Sequence, residues 1–167
     1  LYPIGSFKSH ALTTEDAVIE TADSIITEQL SADYPVRMPL MCSRPTEISG
    51  DCPANMNSFI RELAHVKFDS PYQFEKVIML EMRRMQRTGG TALITPRLNS
   101  RVIDQAAQLK TAGMSVCVCW ITDSRREEAN VAISRLKMMG IMAFKIDPWG
   151  QGLGKKQMIE EKYGMAR

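Results

Sequence analysis

Between Thr91 and Asp147 apolar runs alternate with amphipathic stretches. TALIT leads through a polar turn into a helix-spaced segment ending at Gly113. VCVCWIT leads in the same way into a second helix-spaced segment ending at Gly140, and IMAFKI closes the series. Short strands separated by helices cannot pair as hairpins, so this order predicts strand–helix–strand–helix–strand with a parallel sheet. Ala92–Thr95, Val116–Thr122 and Ile141–Ile146 are the expected strands. Val116–Ile121 is apolar at every position, as a central strand covered on both faces requires. Asn99 or Ser100 is placed to cap the first helix, with Val102/Ile103, Ala106 and Leu109 inward. Asp123 or Ser124 is placed to cap the second, with Ser124 and Glu127 at capping-box spacing. Its inward residues are Ala129, Ala132/Ile133, Leu136 and Met139.

The segments upstream read less uniformly. Residues 1–12, with Pro3 and Gly5, suggest a loop leading in. A helix is expected from Thr13 or Thr14 to Leu30, with a stripe of Ala17/Val18, Ala22, Ile25/Ile26 and Leu30. Tyr34–Cys42 reads as a strand, and Pro39, which has no N–H to donate, makes it either an edge strand or an irregular one. Ser43–Pro53 is a polar loop with room for a short hairpin strand at Thr46–Ser49. Ala54–Val66 suggests a helix with Met56, Phe59/Ile60 and Leu63 inward. Ser70-Pro71-Tyr72-Gln73 has capping-box spacing with proline at the first helical position, which predicts a helix from there to about Arg87. That helix would bury Phe74, Val77/Ile78, Met82 and Met85. Beyond Trp149 the glycines at 150, 152 and 154 break the pattern, so residues 1–150 are expected to form the α/β domain. Residues 151–167 are read as a tail with a short charged helix over Lys155–Tyr163.

Composition excludes several classes. The chain has 167 residues, is 44% hydrophobic and 24% charged, and carries a net charge of +2 with both signs intermixed. A chain of this length forms one domain, and folding it buries about 70% of its unfolded surface. Arg83-Arg84 and Arg125-Arg126 are small clusters rather than the basic face of a nucleic-acid binder. No run of about 18 apolar residues is available to span a membrane, and no signal peptide is evident. A start at Leu rather than Met is expected of a piece of a longer protein, which leaves a membrane segment upstream open. Cys117 and Cys119 lie two apart in a strand and therefore point the same way. They lack the two-residue gap of a redox or zinc pair, and His10 and His65 have no ligand-like spacing, so the four cysteines read as structural thiols with no metal site. Unpaired thiols suit a reducing cytoplasm.

In open parallel sheets ligands bind beyond the carboxyl ends of the strands. Three loops qualify, and they supply the candidate ligand- or partner-binding residues: Thr95 and Arg97; Thr122, Asp123, Ser124 and Arg126; and Trp149. The middle loop joins an acid, two hydroxyls and two arginines at a helix start, an arrangement able to hold an anion or a metal; the plainer reading is that Asp123 or Ser124 only caps the helix. Trp149 is either an anchor for a partner or a cover for the sheet end. No GxGxxG or GxxxxGK[ST] follows a strand, and no GxSxG marks a serine hydrolase. Gly150-x-Gly152-x-Gly154-Lys155-Lys156 looks like a glycine loop but lies past the last strand. No catalytic residue and no cofactor is assigned. Among the twelve methionines, Met79, Met82, Met85, Met138, Met139 and Met142 sit in or beside core stripes, where a thioether fills gaps; a methionine-rich binding groove is the alternative.

The phrases EDAVIETADSIITEQL…YPVRMPLM and TALITPRLNSRVIDQAAQLKTAGMSVCVCWI, within residues 13–147, resemble the C-terminal, von Willebrand factor A-like half of a bacterial family, domain-of-unknown-function family 58. The resemblance implies a three-layer α/β fold: a mostly parallel sheet with helices on both faces, Rossmann-like in outline. Such domains bind a divalent metal through Asp-x-Ser-x-Ser on the first strand and a Thr and an Asp from later loops. This chain has no Asp-x-Ser-x-Ser, and Thr95-Pro96 stands where the later Asp is expected, so a degenerate domain without a complete metal site is implied. Residues 1–12 carry no convincing apolar strand, so the first strand is expected to be missing, or its slot filled by Leu1–Phe7 or a partner. Four main strands follow, near Val36–Met41, Ala92–Thr95, Val116–Ile121 and Met142–Ile146. Members of the family accompany AAA ATPases of the MoxR kind. The resemblance therefore implies a non-enzymatic protein-interaction module in the cytoplasm, standing alone or as the soluble part of a membrane-anchored protein. The alternative is a Rossmann-like enzyme domain that binds a small ligand or anion through Thr122–Arg126.

Overall fold

The computed structural model describes residues 4–85, 89–123 and 127–149, with residues 4–12 described by backbone alone. In chain order the elements are α1 (Ile4–Ser31), β1 (Val36–Leu40), β2 (Thr46–Gly50), a short 3-10 turn (Pro53–Asn55), α2 (Met56–Leu63), α3 (Phe74–Met82), β3 (Gly90–Thr95), α4 (Ser100–Thr111), β4 (Ser115–Ile121), α5 (Glu127–Met138) and β5 (Met142–Ile146). The chain is an α/β protein whose main sheet has three parallel strands in the order β3-β4-β5, flanked by helices. That architecture is compatible with a Rossmann-like fold.

The parallel part follows the expected punctuation. The Asn99 side chain accepts the Val102 N–H at 2.9 Å and caps α4. Gly113 and Gly140 take positive φ, 93° and 70°, and end α4 and α5 where a side chain would be strained. Leu93, Val118 and Ala143 lie in register across the sheet. They pack with Val116, with Val102, Ile103, Ala106 and Leu109 of α4, and with Leu136 of α5 in one buried core. Both crossover helices thus cover the same face, as two right-handed connections in the same direction require. Ile78, with Phe74, Met82 and Met85 half-buried, brings α3 onto this core. The other face of β4 carries the buried Cys119 and Ile121. It is met by α1, which packs against β3 and β4.

The upstream half departs from expectation in four places. Helix α1 begins at Ile4, so the expected entry loop over residues 1–12 is helical from its fourth residue. Neither Leu1–Phe7 nor Val36–Met41 is a strand of the main sheet among the described residues. β1 pairs instead with β2, antiparallel, from Val36↔Gly50 to Leu40↔Thr46, so the parallel sheet has three strands rather than four and β4 has a neighbour on each side. The physical reason lies in reach: five residues separate β1 from β2, and closing so short a loop costs about 2 kcal/mol less in entropy than closing one of roughly fifty. The helix expected over Ala54–Val66 is split into the 3-10 turn and α2, with Phe59 and Leu63 buried but Ile60 exposed. Finally, Ser70 caps nothing. Its hydroxyl accepts the Tyr72 N–H and donates to the Tyr72 carbonyl, both at 3.2 Å. The Ser70 hydroxyl closes a local turn, and α3 starts only at Phe74 and runs to Met82.

The hairpin has its own small core. Ile26 and Leu30 of α1 pack with Phe59 and Leu63, edged by Val36, Met38, Ile48 and Met56. α1 therefore serves both units, with Ile26 and Leu30 in the hairpin core and further contacts to β3 and β4. The glycines and the charged helix expected beyond Trp149 lie outside the described residues.

Candidate functional site

The carboxyl ends of β3, β4 and β5 lie side by side. Thr95 is in register with Trp120, and the Thr122 N–H donates to the Ile146 carbonyl at 2.8 Å, extending the ladder one residue past β4. The strand ends from which the three candidate loops leave therefore lie on one edge. Their polar groups are largely engaged in holding backbone. Buried Thr95 accepts the Arg97 N–H at 3.1 Å and donates to the Arg97 carbonyl at 3.2 Å, so its hydroxyl shapes a turn. The Trp120 indole N–H reaches the Pro96 carbonyl at 3.3 Å and ties that turn to β4. Asp147 accepts the Trp149 N–H at 2.9 Å and closes the third loop, leaving the Trp149 ring half exposed. Arg97 and Asp123 are exposed. Ser124 and Arg126 lie outside the described residues, and so does the expected capping box of Ser124 with Glu127.

Strand order bears on what this edge can do. Ligand crevices in open parallel sheets form where the strand order reverses, because the two flanking loops then diverge to opposite faces. The order β3-β4-β5 follows the chain without reversal, so the described sheet has no such divergence. A shallow cleft of about 250 Å³ lies elsewhere, between α3 and α4, lined by Glu75, Lys76, Met79, Arg101, Asp104, Gln105 and Gln108. Its charged rim is open to solvent.

Two constellations were not legible as sites. Glu81 of α3 is buried and meets Arg37 of β1 at 2.7 Å and Arg84 at 3.2 Å, while Glu47 of β2 meets the same two arginines at 2.7 and 3.0 Å. Burial alone would lower the pKa of Arg37, but hydrogen bonds and charge from Glu81 and Glu47 outweigh it and hold the guanidinium above its ordinary value. No motif signals this network, because its members come from β1, β2, α3 and the turn that follows α3. The second constellation is the thiol pair of β4. Cys117 Sγ and Cys119 Sγ are 4.0 Å apart, with Cys119 fully buried and Cys117 half-buried. Their mutual hydrogen bond favours the Cys117 thiolate and lowers its pKa against the opposing effect of burial, while the same bond and burial push Cys119 upward. Alternation along a strand predicted their shared direction but not their contact.

No family model, curated protein or solved structure matches this chain. Among the described residues no helix is long and apolar enough to cross a membrane.

Proposed function

We propose that this chain is a non-enzymatic protein-interaction module, a degenerate von Willebrand factor A-like domain, that docks through the margin formed by α5 and β5. One observation carries the reading: large apolar side chains stand in solvent there. Met138 is 82% exposed, Val131 65% and Met142 57%. Val131 and Met138 are seven residues apart and share one face of α5. Val131 and Met138 give α5 an exposed apolar stripe on one side of the sheet, and Met142 adds an exposed thioether from β5 on the other; exposed apolar stripes mark interaction sites, and methionine is enriched at them. Met138 and Met142, expected in or beside the core, are both exposed.

The resemblance to domain-of-unknown-function family 58 suggests the partner class, an AAA ATPase of the MoxR kind, and a cytoplasmic setting. The test mixes the purified chain with the MoxR-type ATPase of its own source in sedimentation velocity runs. The wild type should co-sediment, and Val131→Lys/Met138→Glu should not, with unchanged circular dichroism. No complex with the wild type, or equal binding by the double variant, would contradict the reading. The alternative, a ligand-binding enzyme domain using Thr122–Arg126, has less support, because the unreversed strand order offers no crevice and the Thr95 hydroxyl is engaged in its turn.

A further inference from the structure

The thiol pair of β4 has a third soft neighbour. Met142 of β5 is in register with Cys117, so its side chain leaves the same face of the sheet from the adjacent strand. The remaining cross-strand partners of the pair are apolar: Ala92 beside Cys117, and Ile94 and Phe144 beside Cys119. Among the described residues no group of three or more His, Cys, Asp or Glu side chains is placed to hold a metal. Hard ions, which need carboxylates or carbonyls, have no donor set here.

We propose that Cys117 and Cys119 form a binding site for a soft monovalent metal ion, Cu(I), with the Met142 thioether as an additional donor. The geometry is that of a bite. With a thiolate–metal bond of about 2.3 Å, a sulfur separation of 4.0 Å gives a sulfur–metal–sulfur angle of about 120°. The ion takes the place of the proton that the two sulfurs share, so little room has to be made. Thiolate and thioether donors together select Cu(I) over zinc or magnesium. Entry is available, since Cys117 is half-buried and Met142 stands exposed at the margin of the same face. Binding transfers no electron: Cu(I) enters already reduced, forms two copper–sulfur bonds, and each thiol releases its proton to solvent.

The other two thiols supply an internal control. Cys42 donates to the Arg44 carbonyl and Cys52 to the Asn55 side chain, both in the upstream half. The experiment titrates the whole chain anaerobically with Cu(I) against a chromophoric Cu(I) chelator. One ion per chain should be withheld from the chelator by the wild type and by Cys42→Ser/Cys52→Ser. Cys117→Ser should weaken retention at least roughly tenfold, and Met142→Leu by less, since a thioether contributes less than a thiolate. Because Cys119→Ser risks misfolding, the second measurement uses wild-type protein only: copper-edge X-ray absorption should show sulfur ligands alone, two or three of them. No retention by the wild type, full retention by Cys117→Ser, loss with Cys42→Ser/Cys52→Ser, or a nitrogen- and oxygen-dominated edge would each overturn the proposal.

Discussion

The carboxylate of Glu81 lies 2.7 Å from the guanidinium of Arg37, forty-four residues upstream, and its side chain is only 4% exposed. This pair, with Glu47 and Arg84, fastens the β1–β2 hairpin to α3 and so to the core under the parallel sheet. The two partners are not equivalent. Removing Arg37 leaves a buried carboxylate with only the more exposed Arg84; removing Glu81 leaves Arg37 paired with Glu47. Arg37→Met should therefore destabilise by about 3 kcal/mol in urea unfolding. Glu81→Gln should cost less, about 1–2 kcal/mol, and Arg37→Met/Glu81→Leu should recover part of the loss of the single Arg37 variant. Equal costs for both single variants would mean the burial asymmetry does not govern the pair.

Gly50 closes the hairpin against α2. A Cβ there would stand 2.6 Å from Asn55 Cβ and 2.9 Å from Phe59 Cε2. Neither can swing away, since one is the root of its side chain and the other belongs to a fully buried ring. Gly50→Ala should cost about 1–3 kcal/mol by overpacking. Gly90→Ala, whose nearest contact would be the Ser115 carbonyl oxygen at 3.9 Å, should be neutral or stabilise by about 0.5 kcal/mol through the unfolded state. Thermal melts of the two variants should move in opposite directions or, at the least, differ clearly.

Asp69 is exposed and accepts both the Ser43 hydroxyl at 2.6 Å and the Ser43 backbone N–H at 2.9 Å. These two bonds hold its carboxyl below the ordinary value of 3.8. A depressed folded-state pKa means that the ionised form is favoured by folding. The contribution is complete above the ordinary value and is lost as pH falls through the lower folded one. A carboxyl NMR titration should place the Asp69 midpoint below 3.8, and Ser43→Ala should raise it only part of the way, because the backbone N–H remains.

Asn99→Ala removes the cap on α4 and should cost about 1 kcal/mol, whereas Asn99→Asp, which keeps the acceptor for the Val102 N–H, should be near neutral in the same chemical unfolding.

What could be read from the chain was what short range decides. The Asn99 cap, the stops at Gly113 and Gly140, and the central strand through Val118 depend on neighbours within a turn or two, and each is found. Pro39 was informative about edge character, since β1 has a single partner strand; it could not say which strand that is. The Ser70–Gln73 spacing misled because the same hydroxyl can close a turn as readily as cap a helix, and local hydrogen bonds decide between the two. At the sheet's carboxyl edge the parallel order of the strand ends was legible, but the roles of the polar groups beyond them were not. Whether the Thr95 hydroxyl faces a ligand or its own turn depends on the backbone of Arg97. Trp120, hidden in an apolar run, joins that turn through its indole.

The proposed docking margin lies along α5 and β5. Methionine methyl NMR tests it most directly, because exposed methionines report from two separate surfaces: Met138 on α5 and Met79 on α3, 47% exposed. On addition of the MoxR-type ATPase, the Met138 methyl should shift or broaden while Met79 and the buried Met114 stay fixed. A response at Met79 with Met138 silent, or no response at either, would contradict it.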